Sequence, residues 1–144
     1  NNHIYKNTSS SEFITFFIAA WEPGKKLLHY INAGHNPPLL SDKDGNIRTL
    51  DATGLILGVL PDQEYERKTV TLENGSVLAI YTDGLEEAMN PANEMFGQGR
   101  IIETMLNCRN GNSKEIVKTI QDKAIEFCQG KPLHDDLTMI VVKA

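Results

Sequence analysis

The residues best suited to chemistry are acidic side chains at the ends of two apolar stretches. Asp83 follows residues 76–82 (SVLAIYT), and the pair Asp135 and Asp136 precedes residues 137–142 (LTMIVV). A carboxylate beside a buried strand is costly to desolvate unless a positive charge compensates it, and no Lys or Arg lies within three residues of Asp83. A hard divalent cation such as Mg²⁺ or Mn²⁺, which takes oxygen ligands, would also relieve the repulsion between the adjacent carboxylates.

A second interpretation of these acidic residues needs no metal. Asp-Gly is a common turn dipeptide, so Asp83 with Gly84 would merely open a turn. Asp135 and Asp136 would then lie in a solvated loop. On spacing alone, both interpretations stay open.

Strands are predicted for the first part of the chain. Residues 13–21 (FITFFIAAW) are β-branched and aromatic, which favours a strand that is buried on both faces. Pro23 and Gly24 predict a type II turn, because proline presets φ and glycine accepts a positive φ. The turn is expected to return the chain antiparallel over residues 26–32.

The middle of the chain predicts further strands joined by tight turns. Residues 44–46 (DGN) predict a turn before a strand at residues 47–50. Residues 74–75 (NG) are a strong hairpin signal, because both central positions of a type I′ turn need a positive φ. This signal predicts that residues 65–72 pair with a central strand at residues 76–82.

Helices are predicted near the end of the chain. The apolar spacing in residues 97–107 favours a helix, and a longer helix is expected to begin after Asn112 and to end at Gly130 and Pro132. Residues 137–142 predict a final strand. Strands first, helices late and one last strand indicate the α+β fold class.

Composition and charge exclude several functional classes. The chain has 144 residues, of which 40% are hydrophobic and 23% charged, as expected for one globular domain. Its formal net charge of −5 argues against binding to nucleic acid and against a basic membrane-surface helix. Residues 13–21 are too short to span a membrane, and two cysteines indicate a reducing, cytoplasmic location. The first residue is Asn1, so a piece of a larger protein is expected.

Three sequence blocks together resemble one enzyme family. They are residues 33–38 (AGHNPP), residues 81–88 (YTDGLEEA) and residues 135–138 (DDLT), in this order. The chain resembles the SpoIIE-type branch of the metal-dependent Ser/Thr protein phosphatases, the PPM or protein phosphatase 2C superfamily, from about Phe13 to its end. The resemblance implies that residues 1–144 are the C-terminal portion of a single phosphatase domain. Within it we expect the end of a helix and a loop at 1–11, mainly antiparallel strands at 13–82, mainly helices at 85–130 and a final strand at 136–143.

The resemblance also implies a metal site. The family fold is a sandwich of two antiparallel sheets flanked by helices, with two Mn²⁺ or Mg²⁺ ions. Asp83 and Asp135 match metal ligands, and a metal-bridged water, rather than a side chain, attacks the phosphoserine or phosphothreonine. Orienting or supporting roles fall to residues beside these ligands and in the first block, namely Asp136, Gly84, His35 and Thr138. His35 stands where another branch has Asp, which argues against a third metal there.

The chain departs from the family pattern in one respect. The family block G-D-x-x-G-H-G, which supplies further metal ligands, does not occur in this sequence. We therefore expect the N-terminal half of the phosphatase domain to be missing, and the 144-residue fragment to be inactive and free of tightly bound metal. An uncovered sheet edge would also favour a dimer or a strand-exchanged assembly of the fragment.

The resemblance implies a partner as well as a reaction. The expected substrate is a phosphorylated regulatory protein, an anti-sigma-factor antagonist in a bacterial partner-switching pathway. A sensor or receiver domain is expected upstream in the parent chain. The parent chain could be tethered to a membrane through such a domain. No direct membrane contact is expected of residues 1–144. The alternative is a non-catalytic, phosphatase-like module that binds a protein partner without hydrolysis.

Overall fold

A computed structural model describes residues 1–9 and 11–144 and divides them into two compact units, each with one antiparallel sheet. The first unit comprises Asn1–Pro37 and Leu50–Leu72, and the second comprises Pro38–Thr49 and Glu73–Ala144. In chain order the elements are α1 (Asn2–Asn7), β1 (Phe16–Glu22), β2 (Leu27–Ala33), β3 (Leu39–Ser41), β4 (Ile47–Thr49), β5 (Lys68–Thr71), β6 (Val77–Tyr81), α2 (Asp83–Glu86), α3 (Gly97–Cys108), α4 (Ser113–Cys128) and β7 (Met139–Lys143).

The sheet of the first unit has the strand order β1-β2-β5. β2 returns antiparallel to β1, as the sequence predicts, with Glu22 opposite Leu27. The type II turn prediction is wrong, because a short 3-10 turn over Pro23–Lys25 joins the two strands. Lys26, rather than Gly24, takes the left-handed conformation (φ 56°), and its N–H donates to the carbonyl of Pro23 over 3.2 Å.

The prediction that β1 is buried on both faces is also wrong. Phe16, Ile18 and Trp21 are 45%, 53% and 40% exposed. β1 lies at the edge of its sheet, with β2 on one side and no strand of the described residues on the other. The apolar composition of this segment therefore does not report burial within the described chain.

The hairpin predicted at residues 74–75 does not form. β5 belongs to the first sheet, whereas β6 pairs with β3 and β7 in the second sheet. Gly75 has the positive φ (89°) that the turn signal requires, but its N–H donates to the carbonyl of Ala144 over 2.8 Å. Residues 74–75 therefore form a turn, but the strands before and after this turn belong to different sheets and do not pair.

The sheet of the second unit has the strand order β4-β3-β6-β7. β6 is a central strand, as predicted, and every residue of it except Ile80 is buried. Helix α4 packs against β7 and against α3. The buried core of this unit joins both layers and consists of Leu39, Val77, Ala79, Tyr81, Leu85, Ala88, Phe96, Ile101, Met105, Ile116, Ile120, Ala124 and Cys128.

The two long helices occupy the predicted segments. α4 begins with a reciprocal capping box, in which the Asn112 side chain accepts from the N–H of Glu115 over 3.0 Å and the Glu115 carboxylate accepts from the N–H of Asn112 over 2.8 Å. Such a box satisfies two helix-end donors that would otherwise lack a partner. Local sequence therefore fixes the start of α4.

The fold class is confirmed: the chain forms two antiparallel sheets with flanking helices. The assignment of all 144 residues to one catalytic domain stays a prediction. Among the helices of the described residues, none has the length and apolar character to cross a bilayer.

Replacing Asn112 by Ala removes the acceptor for the N–H of Glu115. We expect the free energy of unfolding to fall by about 1 kcal/mol, the usual cost of losing an N-cap. Urea denaturation followed by circular dichroism measures the change. Asn110→Ala, in the same turn but without a hydrogen bond from its side chain to the described residues, is the matched control and should shift stability by no more than ~0.5 kcal/mol. Equal effects of the two substitutions would contradict the role of the cap.

Candidate metal centre

The ends of β6 and β7 bring the two acidic positions together. These strands are antiparallel, and Tyr81, the last residue of β6, lies opposite Met139, the first residue of β7. Asp83 follows the end of one strand, and Asp135 shortly precedes the start of the other. Because antiparallel pairing places the end of one strand beside the start of its neighbour, residues distant in sequence meet at one end of the sheet.

Thr82 extends this pairing beyond the regular strands. Its N–H donates to the carbonyl of Thr138 over 3.1 Å. Its hydroxyl accepts from the N–H of Thr138 over 3.1 Å and donates to the carbonyl of Asp136 over 2.9 Å. The segment that carries Asp135 and Asp136 is thereby tied to the residue that precedes Asp83.

Gly84 makes a second close contact with the same segment. It is buried in the short helix α2, and a Cβ atom at this position would lie 2.6 Å from the carbonyl oxygen of Asp136 and 3.3 Å from the carbonyl carbon of Asp135. A Cβ that close to backbone cannot be accommodated without displacing it. Glycine is therefore required here for close approach, which keeps the backbone next to Asp83 in contact with that of Asp135.

The carboxylates of Asp83 and Asp135 are solvent-exposed and similarly bonded. Oδ1 of Asp83 accepts from the N–H of Gly84 over 3.0 Å, and Oδ1 of Asp135 accepts from the N–H of Asp136 over 2.7 Å. Within the described part of the chain, Oδ2 of each makes no hydrogen bond, and no Lys or Arg forms an ion pair with either group.

This donor set suits a hard divalent cation, because Mg²⁺ and Mn²⁺ prefer carboxylate oxygens. It is a partial set: residues 1–9 and 11–144 contain no group of three or more His, Cys, Asp and Glu side chains placed to hold a metal ion. Asp83 and Asp135, with Asp136 beside them, therefore form an incomplete site in the described chain.

The structure brings five of the six predicted site residues together. Asp83, Gly84, Asp135, Asp136 and Thr138 lie at the ends of β6 and β7. Asp136 and Thr138 contact Thr82 through their backbone atoms, not through their side chains, which are exposed. The orienting role predicted for these two residues stays a prediction; the contacts that the structure shows are made by their main chain.

His35 belongs to the first unit, where its backbone is fixed by a neighbouring side chain. The side chain of the fully buried Asn32 accepts from the N–H of His35 over 2.8 Å and donates to the carbonyls of His35 and Leu50 over 3.1 and 2.9 Å. Asn32 is not among the site residues predicted from the sequence. Its position on the buried face of β2, alternating with Leu28 and Tyr30, is the signal that could have identified it.

Tyr81 anchors the end of β6 in the core. Its ring is almost fully buried, and burial raises the pKa of its phenol above the ordinary value. The side chain therefore stays neutral at pH 7 and adds no charge beside Asp83. Tyr81 holds the strand end in place while Thr82 and Asp83 extend past it.

A groove of about 540 Å³ between α3 and α4 is a separate feature of the second unit. Phe96, Arg100 and Phe127 are among the residues that line it, with the Arg100 guanidinium 4.5 Å from the centroid of the Phe127 ring. None of the candidate metal ligands lines this groove. It is not the candidate site.

Comparison with known proteins gives sequence relatives along nearly all of the chain. Protein IcfG of Synechocystis sp. is 33% identical over 130 residues, covering 90% of this chain and 20% of that protein. Phosphoserine phosphatase RsbU of Bacillus subtilis is 34% identical over 146 residues, covering 99% of this chain and 42% of that protein. The chain thus spans less than half the length of either relative.

A solved structure shares the fold. The Mn-presoaked phosphatase domain of the cell fate determinant SpoIIE from Bacillus subtilis matches with a TM-score of 0.71 at 16% identity, over 99% of this chain and 62% of that chain. At this identity the likeness speaks to the fold alone. The family described as Stage II sporulation protein E (SpoIIE) matches residues 1–144. The chain therefore belongs to the SpoIIE family.

Proposed function

We propose that the protein containing this chain is a metal-dependent phosphatase that hydrolyses phosphoserine or phosphothreonine on a regulatory protein. One observation carries the proposal: the exposed residues Asp83 and Asp135 lie on adjoining backbone segments, and Oδ2 of each makes no hydrogen bond within the described chain. Family membership along the whole chain supports it, as does the RsbU relative, which is named a phosphoserine phosphatase.

The proposed cofactors are Mn²⁺ or Mg²⁺, two in an intact site. The oxygen donors of Asp83 and Asp135 suit either ion, and the SpoIIE structure with the same fold was soaked with Mn. When bound, such ions lower the pKa of a coordinated water and neutralise charge on the phosphoryl group. With two carboxylates from this chain, further ligands have to come from outside the described residues.

The chain's own residues contribute binding and orientation. Asp83 and Asp135 supply the charged oxygen ligands, and Asp136 adds a third negative charge beside them. Gly84 permits close contact between the two segments, since any side chain there would displace the Asp136 carbonyl. No side-chain nucleophile is assigned, because the proposed reaction proceeds by direct attack of water on phosphorus.

The proposed substrate is a phosphorylated anti-sigma-factor antagonist in a partner-switching pathway, with a sensor or receiver domain elsewhere in the parent chain. The net charge of −5 disfavours nucleic acid as the partner. A non-catalytic, phosphatase-like interaction module is the competing function, and it differs in one measurable property: it binds a partner without releasing phosphate.

Replacing Asp83 or Asp135 by Asn in the complete natural chain keeps the size of the side chain and removes its charge. We expect the Mn²⁺ dissociation constant to rise by more than the roughly 10- to 100-fold typical of losing a residue that only orients a ligand. Isothermal titration calorimetry measures the affinity, and phosphate release from a phosphoserine protein measures kcat/KM, which should fall in parallel.

Asp122→Asn is the matched control, because Asp122 is an exposed carboxylate on α4, paired with Lys118. It should leave both Mn²⁺ affinity and kcat/KM unchanged. Full activity in Asp83→Asn would remove Asp83 from the site. Partner binding without phosphate release by the unmodified protein would favour the non-catalytic module.

With the 144-residue polypeptide alone, phosphate should be released from the substrate at a rate near that of a control without the polypeptide. Two carboxylates carry too little charge and too few ligands to hold two divalent cations tightly. A colorimetric phosphate assay with Mn²⁺ and a phosphoprotein substrate tests this, with the complete natural chain as the active reference. Turnover by the polypeptide at the rate of the complete chain would contradict the expectation.

We further propose that the isolated polypeptide self-associates through β1. Bare strand edges pair with other chains, and β1 exposes Phe16 and Ile18 at the edge of its sheet. Sedimentation velocity should show a dimer at tens of micromolar. Ile18→Lys should shift it towards monomer, since an edge lysine opposes strand pairing. Ile125→Lys, at a 60% exposed position on α4, is the control and should leave the dimer intact. A monomeric unmodified polypeptide would refute the proposal.

A further inference from the structure

The segment that carries Asp135 has few attachments of its own. Residues 132–137 lie between α4 and β7, outside any regular element. Within the described chain, the bond between the N–H of Asp136 and Oδ1 of Asp135 is internal to this segment. The one hydrogen bond from residues 132–137 to another described part of the chain joins the carbonyl of Asp136 to the hydroxyl of Thr82.

The Thr82 hydroxyl is used in both directions. As a donor it bonds to the carbonyl of Asp136 over 2.9 Å, and as an acceptor it receives the N–H of Thr138 over 3.1 Å. These two bonds, which we call the Thr82 clasp, hold the backbone on both sides of Leu137. A hydroxyl can donate and accept at the same time without adding charge.

We propose that Thr82 is a positioning residue that fixes Asp135 relative to Asp83 and so presets the two carboxylates for a divalent cation. The inference rests on the proposed function, and it assigns to Thr82 a role in metal affinity rather than contact with the metal or substrate. Asp83 is the next residue in the chain, so the group that holds the second carboxylate is covalently attached to the first.

The residues next to Thr82 hold it in a fixed place. Tyr81, its neighbour, is buried in the core, so the clasp is anchored to a fixed strand end. Gly84, the residue that follows Asp83, lies against the carbonyl group of Asp136. Residues that orient ligands typically change metal affinity by 10- to 100-fold when they are replaced, because the ligand must be ordered as the ion binds.

The clasp is tested with two substitutions in the complete natural chain. Thr82→Val keeps the β-branched shape and removes the hydroxyl, whereas Thr82→Ser keeps the hydroxyl. Calorimetry should show the Mn²⁺ dissociation constant raised about tenfold in Thr82→Val. In Thr82→Ser it should stay within about twofold of the unmodified protein, because both hydrogen bonds persist.

A second readout needs neither metal nor activity. The N–H of Thr138 loses its acceptor in Thr82→Val, so its amide hydrogen exchange in metal-free protein should accelerate, while Thr82→Ser retains protection. The phosphatase assay should show that a higher Mn²⁺ concentration restores kcat in Thr82→Val, since Asp83 and Asp135 are both intact.

Thr119→Val is the matched control. The Thr119 hydroxyl also donates to a backbone carbonyl, that of Glu115, over 2.8 Å, but on α4. This variant should keep unmodified Mn²⁺ affinity and Thr138 exchange, and its melting temperature calibrates the general cost of losing one hydroxyl bond. A Thr82→Val protein that melts like Thr119→Val yet binds Mn²⁺ more weakly supports positioning over a purely structural role.

Two outcomes separate this inference from the function on which it rests. Unchanged Mn²⁺ affinity in Thr82→Val, in a chain whose unmodified form binds Mn²⁺, overturns the inference and leaves the proposed function intact. Absence of Mn²⁺ binding by the unmodified complete chain overturns the proposed function and the inference with it.

Discussion

The candidate site depends on the antiparallel pairing of β6 with β7. This pairing sets Tyr81 opposite Met139, and from that register follow the bonds of Thr82 to Thr138 and Asp136. A slip of one residue would turn every side chain of the strand to the opposite face of the sheet. The buried core around β6 resists such a slip, because Val77, Ala79 and Tyr81 would be replaced in it by side chains of different volume and shape. The geometry of the carboxylates is thus a consequence of core packing.

Three negatively charged side chains lie near one another at this end of the sheet. Asp83, Asp135 and Asp136 gather without a Lys or Arg ion pair in the described chain. Their exposure to water keeps the cost of this repulsion low, since the high dielectric constant of water and dissolved salt screen it. Because Oδ2 of Asp83 and of Asp135 has no protein donor among the described residues, a cation need not break a hydrogen bond to reach either atom. An ordered backbone with solvated acidic side chains is therefore suited to take up a divalent ion.

The accuracy of the sequence predictions follows the range of the interactions involved. Helix α4 was predictable because its periodicity and its Asn112 cap are encoded within a few residues. The turn at Gly75 was predictable for the same reason, but the strands beside it join different sheets, and no local signal specifies a distant partner. The burial of β1 could not be predicted in the same way. Its apolar composition suggested burial on both faces, but the exposure of an edge strand depends on which other elements cover it.

Residue types and spacing alone identify the candidate cation ligands and their places in the chain: Asp83 after one apolar strand, Asp135 and Asp136 before another. The same spacing carries the motifs on which the family resemblance rests. That Thr82 links these positions, and that Asn32 joins the turn at His35 to Leu50, is visible only in the folded chain, since both side chains form hydrogen bonds to groups distant in sequence. Such bonds depend on strand register and burial, which emerge from packing of the whole chain rather than from any local run of residues.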